Sequence, residues 1–586
     1  MKVSPLLNVD SYKTQHYRMY PENMVTLFSN FTPRKSRVKG QNDMVSFGLQ
    51  YYVKEYLIDQ WNELFFNRPW VDVESEYVKF MKHFTFQSSI DIHQWKALHE
   101  LGYLPLEIRA LPEGTSCPMR IPILTIHNTH KNFPWLVNFL ETSISNTIWF
   151  PSTTATTTKM LRCIVNKFAL ETTGSIAGTE WQLHDFSMRG HTSLESAMLS
   201  GSAHLLSSFG TDTLPAVLFL EKYYGADSNK EIIGSSVPAS EHSVMTSYGK
   251  EDEIKSFDRI LDLYPDGIVS LVSDQYDLWQ VLTVFLPKLK DKIMARDGKA
   301  VFRPDSGNPV DIICGTGIKY KDLSKYYTYT DSPVNNPEYF EDELLNEVRE
   351  EIPHGECGPE DWENIYWING KLYKAKIHNI SWNRFDKQYY YIDMYEKAKI
   401  TVEELEIKPE HKGVIELLWD LFGGKVNEFG YKVLDSHCGA IYGDGLNIEN
   451  IPIILNNLKL KGFASTNIVF GVGSFTYNGA LNKDVIITRD TYSTACKSTY
   501  CEVIDINGQV ITREIFKDPI TDDGMKKSAK GLLAVFKNEV GELTLKDQAT
   551  WNDVYSDNNE LKTVFFNGKL VSETTLTAIR ERLIAQ

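Results

Sequence analysis

The chain has 586 residues, 42% hydrophobic and 24% charged, which is the balance of a globular protein large enough for two or more lobes. Its formal net charge of −16 argues against a nucleic-acid partner, which would need a basic face. The chain shows neither the long apolar run of a membrane span nor that of a signal peptide, so we expect a cytoplasmic protein with no membrane partner.

Both ends of the chain are predicted to be rich in β-strands. The start contains the aromatic-rich run "TLFSNFTPRKSRV", and residues 103–129 alternate apolar and polar side chains between proline and glycine breaks. The tail, from "EVGELTLKD" to "TVFFNGKLV", has the same character. We therefore predict a β-rich lobe with some helices that is assembled from residues 1–150 and 476–586.

The middle of the chain alternates apolar runs with amphipathic segments. One such segment, "EDEIKSFDRILDL", places Ile254, Phe257 and Leu261 on one helical face. Strands that are apolar throughout and alternate with helices indicate a parallel sheet, whose active site lies at the carboxyl ends of the strands. We predict an α/β barrel catalytic domain over residues 151–475, in which the apolar runs end at Asp185, Asp274, Arg303 and Asp305, Asp444, and Gly473.

Residues from about 315 to 430 interrupt that alternation. The segment begins with an acidic stretch and continues with "YYYIDMYEKAKITVEELEI", which is strand-like and is followed by a helical pattern. It has enough aromatic residues to fold, so disorder is not expected. We predict an inserted subdomain that can be deleted without loss of activity, because lengthening a loop costs little closure entropy.

Two glycine loops follow predicted strands, "GDG" at 443–445 and "GVGS" at 471–474. Glycine lets backbone N–H groups approach a phosphate, although many such turns bind nothing. Basic residues downstream, Arg489, Lys497 and the lysines of "MKKSAKG", favour the phosphate interpretation in so acidic a chain.

Several polar residues have both a structural and a functional interpretation. Asp305 and Asp444 suit the hydroxyls of a ribose, but each also suits a turn or a helix cap. Asp212 in "GTDT" lies in a short polar loop and by itself suits a helix cap. In "SVPASEHSV", Pro238 suits an early helical position and His242 suits either a structural or a chemical role.

Eleven motifs occur in order along the chain: "LLNVDSYKTQHY", "FGLQYY", "LHDFSMRG", "GTDT", "SVPASEHS", "VSDQYD", "RPDSGNP", "YGDG", "VFGVGS", "ITRD" and "FKDP". The ordered set closely resembles the nicotinamide phosphoribosyltransferase family, from about residue 6 to about residue 583. The resemblance implies the fold of a type II phosphoribosyltransferase, an irregular α/β barrel with a β-rich lobe. It also implies a homodimer with two active sites at its interface.

The reaction that the resemblance implies joins nicotinamide to 5-phosphoribosyl 1-pyrophosphate and releases nicotinamide mononucleotide and pyrophosphate. Mg²⁺ would be held mainly through the pyrophosphate and not by side chains. ATP would act as a co-substrate, and its hydrolysis would be coupled to the reaction through phosphorylated His242.

The resemblance also assigns roles to individual residues. Phe186 would stack on nicotinamide, with Tyr12 of the partner subunit on the other face of the ring, and Asp212 would accept from its carboxamide. The residues that would hold ribose, phosphate or pyrophosphate are Arg34, Arg189, Arg303, Asp305, Gly443, Asp444, Gly473, Ser474, Arg489 and Lys497.

His242 needs a group that orients its ring. Glu241 is adjacent in sequence, but neighbours on a helix do not face each other, so Asp274 is our candidate. The predicted catalytic set consists of His242, Asp274, Arg303 and Asp305.

This chain departs from the family pattern in three places. Its phosphate loop is "GVGS", so that Ser474 stands where the family has a glycine. The residues "TYNGALNK" intervene before Arg489. The segment from about 315 to 430 has no counterpart in the family member compared.

Three other functions remain open on sequence grounds. Nicotinate phosphoribosyltransferase shares the fold, and Asp212 argues against it because a carboxylate repels the carboxylate of nicotinate. A metal-dependent hydrolase could use His184, Asp185, His242 and Asp274, but no metal-ligand spacing supports it, and the seven cysteines show none either. A non-catalytic interaction protein is disfavoured by the intact set of polar residues.

Overall fold

The computed structural model describes residues 2–316, 318–319, 362–368, 371–377, 380–383, 388–391, 401–443, 445–516 and 529–585. The chain divides into two compact units. Unit 1 comprises Met1–Arg162, His184–Ser235 and Gly473–Gln586, and unit 2 comprises Cys163–Leu183 and Ser236–Val472. Asp444 and most of "MKKSAKG" lie outside the described residues.

Unit 1 contains a seven-stranded antiparallel sheet whose strands come from both ends of the chain. This confirms the predicted β-rich lobe. In spatial order the strands are Val510–Glu514, Ala495–Ile504, Met24–Thr32, Leu124–Asn128, Leu106–Ala110, Lys562–Phe566 and Lys569–Leu570.

The central strands of this sheet are more deeply buried than their alternating sequence predicts. Every residue of Leu106–Ala110 is buried, including Glu107 and Arg109. These two charges can be buried because they pair with each other: the Arg109 guanidinium donates to the Glu107 carboxylate at 3.1 Å. The Thr563 hydroxyl donates to the same carboxylate at 2.7 Å.

The remaining strands of unit 1 form short pairs. The paired strands are Asp43–Val45 with Ser116–Pro118, Leu183–Asp185 with Gly210–Thr211, Ala480–Asn482 with Val485–Ile486, and Leu532–Lys537 with Leu543–Ala549. The helices are Ser11–Arg18, Leu49–Tyr51, Tyr52–Asp59, Asn62–Phe66, Trp70–Thr85, His93–Leu101, Trp135–Phe139, Met188–Gly190, Leu194–His204, Leu214–Tyr224, Phe475–Gly479, Arg489–Thr491, Trp551–Val554 and Leu576–Ile584. A long helix, Glu141–Thr173, has residues in both units.

Unit 2 contains four parallel strands, which confirms the predicted α/β fold class. In spatial order they are Asp266–Val272, Asp297–Arg303, Cys438–Tyr442 and Ile468–Val472. Helices follow the strands, as expected for apolar strands covered on both faces. Asp277 and Asn308 cap two of these helices by accepting from backbone N–H groups in the first turn. The helices of unit 2 are Thr179–Trp181, His242–Thr246, Glu253–Leu263, Leu278–Gln280, Val281–Phe285, Leu286–Met294, Pro309–Cys314, Pro409–Phe422, Asn450–Leu460 and Ser465–Asn467.

One predicted strand is two strands in the structure. Within "KVLDSHCGAIYGDG", Lys432–Leu434 pairs antiparallel with Gly424–Val426, and only Cys438–Tyr442 joins the parallel sheet. The cause is the polar turn between them, in which the Asp435 carboxylate accepts from the backbone N–H of His437 at 2.9 Å.

The segment between residues 315 and 409 contributes strands of its own. Ile318–Lys319, Trp362–Ile368, Lys371–Ile377 and Thr401–Leu405 form a four-stranded sheet, and Ile380–Asn383 pairs with Gln388–Tyr391. The helix Pro409–Phe422 that follows buries Val414, Ile415 and Leu418.

The two ends of this segment lie side by side in unit 2. The backbone N–H of Thr316 donates to the carbonyl of Glu410 at 2.9 Å. The Lys461 ammonium donates to the carbonyls of Cys314 and Lys412 at 2.8 and 2.6 Å. Gly413 approaches so closely that an added Cβ would lie 2.6 Å from the Gly315 nitrogen. These contacts hold the entry and the exit together without using the residues between them.

We therefore expect that residues 317–409 can be replaced by about three glycines, the length of a tight connection. The variant should remain folded, with a kcat/KM close to that of the full chain, because the joined ends are already neighbours. Gly413→Ala in the full chain is the matched control, and it should lower the melting temperature because it separates those ends. A folded deletion variant with no transferase activity would show that the segment contributes to the active site.

Among the described residues, no helix combines the length and the apolar character needed to cross a membrane.

Candidate active site

In unit 1, the "LHDFSMRG" and "GTDT" motifs are joined by a buried carboxylate. Strand Leu183–Asp185 runs parallel to Gly210–Thr211, which places the two motifs side by side. Asp185 is fully buried and accepts from the Ser187 backbone and hydroxyl at 2.9 and 2.6 Å, and from the Thr213 hydroxyl at 2.7 Å. Since these donors occupy its carboxylate, Asp185 holds the two loops together, a role that the sequence analysis did not assign.

His184 lies between the two residues that the resemblance assigns to nicotinamide. Its Nε2 is 2.9 Å from Oδ1 of Asp212, and its ring centre is 4.7 Å from that of Phe186. The Asp212 side chain is 43% exposed and therefore open to a ligand. His184 was considered only as a metal ligand, although its position two residues before Phe186 in an extended strand would have placed both side chains on one face.

The structure brings the second glycine loop against the first motif. A Cβ added at Gly190 would overlap the Ser474 hydroxyl, so the absence of a side chain at Gly190 is what allows this approach. Gly190 follows Arg189, which is exposed, and Ser474 follows Gly473. Three of the predicted phosphate-binding residues are therefore brought together within unit 1.

Gly190→Ala should displace Ser474 and raise the KM for 5-phosphoribosyl 1-pyrophosphate on the order of 10- to 100-fold, the effect of a displacement of about 1 Å in an active site. Ser474→Gly removes the clashing hydroxyl. The double variant should therefore regain the KM of Ser474→Gly alone, as steady-state kinetics will show. If the double variant were as impaired as Gly190→Ala, the contact with Ser474 would not be the cause.

Arg34, Arg489 and Lys497 lie along one stretch of unit 1, and all three are exposed. The backbone N–H of Arg34 donates to the Tyr492 carbonyl at 3.1 Å, and its Nε donates to the Ser493 carbonyl at the same distance. Lys497 lies opposite Asn30 in the seven-stranded sheet. Tyr12 is 63% exposed.

In unit 2, His242 and Asp274 are brought together. The imidazole Nε2 of His242 is 3.3 Å from Oδ1 of Asp274, whose side chain is only 5% exposed. Oδ2 of the same carboxylate accepts from the backbone N–H of Asp305 at 2.8 Å and from the Ser306 hydroxyl at 2.6 Å. Asp274 therefore connects the histidine to the "RPDSGNP" loop, and Ser306 is a contributor that the sequence analysis missed.

The expectation that Pro238 begins a helix is wrong. Pro238 lies in an extended segment whose carbonyl accepts from the backbone N–H of Ser270 at 2.9 Å, and Ala239 bridges the same residue. The helix starts at His242, with Glu241 as its N-cap residue. The segment is extended because it pairs with the edge strand Asp266–Val272, and tertiary pairing outweighs a local helical preference.

Arg303, Asp305 and Gly443 also meet in unit 2. Arg303 Nη2 is 3.7 Å from Asp305 Oδ2. A Cβ at Gly443 would overlap Asp305 Oδ1 and lie 3.7 Å from Cδ of Arg303, so glycine is required for this close packing. Three of the predicted ribose and pyrophosphate residues therefore form one cluster at the carboxyl ends of the parallel strands.

None of the described His, Cys, Asp and Glu side chains form a group of three or more that could hold a metal ion. Oδ2 of Asp274 accepts two hydrogen bonds from its own chain, whereas its Oδ1 accepts none from the described residues and lies 3.3 Å from Nε2 of His242. Asp305 lies close to the Arg303 cation.

Comparison with known proteins places this arrangement in a family. The nicotinate phosphoribosyltransferase (NAPRTase) family profile matches residues 181–334 and 400–569, and a profile for the N-terminal domain of nicotinamide phosphoribosyltransferase matches residues 4–108. A nicotinamide phosphoribosyltransferase from Acinetobacter baylyi is 38% identical over 100% of this chain and 98% of its own length. One from Xanthomonas campestris is 30% identical over 98% of this chain and 97% of its own length.

The fold and the matched residues define a phosphoribosyltransferase, an enzyme of the pentosyltransferase class. The chain belongs to the family of nicotinamide and nicotinate phosphoribosyltransferases, which confirms the resemblance of the motifs. The NAPRTase family profile omits residues 335–399.

Proposed function

We propose that the chain converts nicotinamide and 5-phosphoribosyl 1-pyrophosphate to nicotinamide mononucleotide and pyrophosphate in NAD salvage. The observation that carries this proposal is the grouping of Phe186, His184 and Asp212, in which an aromatic ring and a carboxylate flank one imidazole. A carboxylate accepts from the NH₂ of a carboxamide, and it repels the carboxylate of nicotinate.

In this reaction the lone pair of the pyridine nitrogen attacks C1 of the ribose. An N–C bond forms, the C–O bond to pyrophosphate breaks, and the pyrophosphate leaves with the electron pair. No proton moves, so the absence of a nucleophile–base pair from the proposed set fits the chemistry. Catalysis then depends on alignment of the reactants and on stabilisation of separated charges.

The unit 2 cluster suits the second substrate. Asp305 would accept from ribose hydroxyls and would also stabilise positive charge on the ribose ring. Arg303 would stabilise the departing pyrophosphate, and its Nη2 lies 3.7 Å from Oδ2 of Asp305, beyond hydrogen-bond distance. The close approach of Gly443 to both side chains fixes their positions.

ATP would act through His242, as a proposed co-substrate. Because Nε2 faces Asp274, Nδ1 is the nitrogen positioned to attack the γ-phosphorus of ATP. An N–P bond forms and the P–O bond to ADP breaks, so ADP leaves with that electron pair. The Asp274 carboxylate fixes the ring tautomer and stabilises the positive charge on the ring.

Mg²⁺ would be bound mainly through pyrophosphate oxygens, given the donor set of the described residues. Bound there, it would neutralise charge on the leaving group.

We also propose a homodimer. Leu194, Leu214 and Leu218 expose 60–74% of their surface in unit 1, and the latter two lie on the helix that follows Asp212. Tyr12 is exposed as well, as required if it completes the site of the partner. Light scattering on the purified chain measures the oligomeric state, and a monomer would contradict this part of the proposal.

The test of the proposed function is a transfer assay on the purified full chain. Nicotinamide mononucleotide formation should require 5-phosphoribosyl 1-pyrophosphate and should increase with ATP. Nicotinate offered in place of nicotinamide should react far more slowly. Equal use of nicotinate would replace this proposal with nicotinate phosphoribosyltransferase, and no product from either base would overturn it.

A further inference from the structure

A buried tyrosine hydroxyl in unit 1 connects three parts of the chain. Tyr477 is 1% exposed, and its hydroxyl lies 2.6 Å from Nδ1 of His204 and 3.1 Å from the Thr158 hydroxyl. His204 and Thr158 are also fully buried. Burial raises the pKa of Tyr477, so the phenol keeps its proton and can donate it.

The second nitrogen of His204 continues this connection. Nε2 lies 2.9 Å from the carbonyl oxygen of Gly210, which can only accept, so Nε2 carries the proton. In the neutral imidazole Nδ1 is then the acceptor, and it receives the proton of Tyr477. The sequence of donors is therefore fixed, from Tyr477 through His204 to Gly210.

The two ends of this connection lie in the two segments assigned to different substrates. We name residues 210–213 the base loop, which carries Asp212, and residues 473–479 the phosphate segment, which carries Gly473 and Ser474. Gly210 opens the base loop, and Tyr477 belongs to the helix Phe475–Gly479 in the phosphate segment. The two segments are 260 residues apart in sequence, and only tertiary structure places them on one hydrogen-bonded chain.

Other backbone hydrogen bonds also restrict the position of the base loop. Asp212 N donates to the Asp185 carbonyl at 2.9 Å and Thr211 N donates to the Ser235 carbonyl at 3.0 Å. These bonds hold the loop along its length, whereas the Gly210 carbonyl is held by His204. A shift of the phosphate segment therefore reaches the base loop at Gly210, two residues before Asp212.

We propose that Tyr477 and His204 are positioning residues that couple occupancy of the phosphate segment to the affinity of the base loop for nicotinamide. Phosphate bound by the phosphate segment would fix the helix Phe475–Gly479, and with it the Tyr477 hydroxyl, His204 and the Gly210 carbonyl. The proposal is carried by a direct chain of buried hydrogen bonds that runs from the Tyr477 hydroxyl through His204 to the Gly210 carbonyl. This inference rests on the proposed function of the two loops.

The experiment compares Tyr477→Phe with the unaltered chain and with Tyr52→Phe. Tyr52 is also fully buried, and its hydroxyl bonds the Ser143 hydroxyl at 2.8 Å, so its variant loses an equivalent buried hydrogen bond away from both segments. Calorimetry measures the Kd of nicotinamide with and without ribose 5-phosphate, which cannot react. By linkage, the ratio of the two constants is the coupling between the sites.

In the unaltered chain and in Tyr52→Phe, ribose 5-phosphate should tighten nicotinamide binding by about fivefold or more. In Tyr477→Phe the ratio should fall close to one, and His204→Gln should behave in the same way. A ratio that is unchanged in Tyr477→Phe, or a ratio of one in the unaltered chain, overturns the proposal. Purely structural damage would weaken both measurements equally and leave the ratio unchanged.

A second readout separates this inference from the proposed function. Hydrogen exchange of the backbone amides in residues 210–213 and 473–479 needs no ligand. Both stretches should exchange faster in Tyr477→Phe than in Tyr52→Phe, whether or not the chain binds nicotinamide. If the two stretches exchanged faster in Tyr477→Phe but the chain did not bind nicotinamide, only the proposed function would be contradicted. If their exchange were unchanged, the proposed link from Tyr477 through His204 to Gly210 would be contradicted.

Discussion

Replacing His242 with alanine should abolish incorporation of acid-labile phosphate from ATP and remove all stimulation of the transfer reaction by ATP. The reason is that Nδ1 of His242 is the proposed nucleophile toward ATP, held by the 3.3 Å contact of Nε2 with Asp274. A slow transfer that does not depend on ATP should remain, because nicotinamide attacks without a base. Radiolabelled ATP and a product assay measure the two effects.

His93→Ala is a matched control for this experiment. Like His242, His93 is the first residue of a helix and lies close to an aspartate, with its Nδ1 2.6 Å from Asp91 Oδ1. It should keep both phosphate incorporation and ATP stimulation. In contrast, Asp274→Asn should slow phosphorylation by up to roughly 10⁴-fold, the effect of neutralising the orienting aspartate of a Ser-His-Asp triad. A His242→Ala enzyme that is still stimulated by ATP would return His242 to a structural role.

Asp212→Ser should relax the choice between nicotinamide and nicotinate. Loss of a hydrogen bond to a charged group costs about 1.5–3 kcal/mol, so kcat/KM for nicotinamide should fall by about 10- to 150-fold. The same change removes the repulsion that excludes nicotinate. Discrimination, which such pairing can raise to ~10⁴, should therefore fall toward unity when the two bases are compared in steady-state assays.

Asp212→Asn separates charge from hydrogen bonding. Its carbonyl oxygen can still accept from the carboxamide, so most nicotinamide activity should remain while nicotinate use rises. His184 loses a charged partner at 2.9 Å in both variants, so its loss cannot explain a difference between them. If the unaltered enzyme used both bases equally well, the role of Asp212 in specificity would be wrong.

Much of the fold was predictable because its signals are local. The apolar runs that end at Arg303 and Asp274 are strands that stop within two residues of those positions. The start of the chain and its tail also showed their strand character directly. Such patterns are set by the burial of neighbouring side chains, which the sequence reports residue by residue.

The partners of the site residues were less predictable. Asp274 was inferred as the partner of His242 by excluding Glu241, but Ser306 and the Asp305 backbone were not foreseen as its donors. Pro238 was placed in a helix because no local signal showed the strand beside it. Hydrogen-bond partners that are distant in sequence produce no periodic pattern of residues. Only the packing of strands brings them together.

The sequence by itself determined the family of this protein, since its ordered motifs span the chain, and it determined the residue types on which the chemistry depends. Tertiary structure alone decided which of these residues touch. It placed His184 between Phe186 and Asp212, and Gly190 against Ser474. It also joined Tyr477 to the Gly210 carbonyl through His204. The physical reason is that a motif specifies which chemical groups are present, because it specifies residue types. Which of those groups touch depends on the hydrogen-bond partners that buried polar groups find in other parts of the fold.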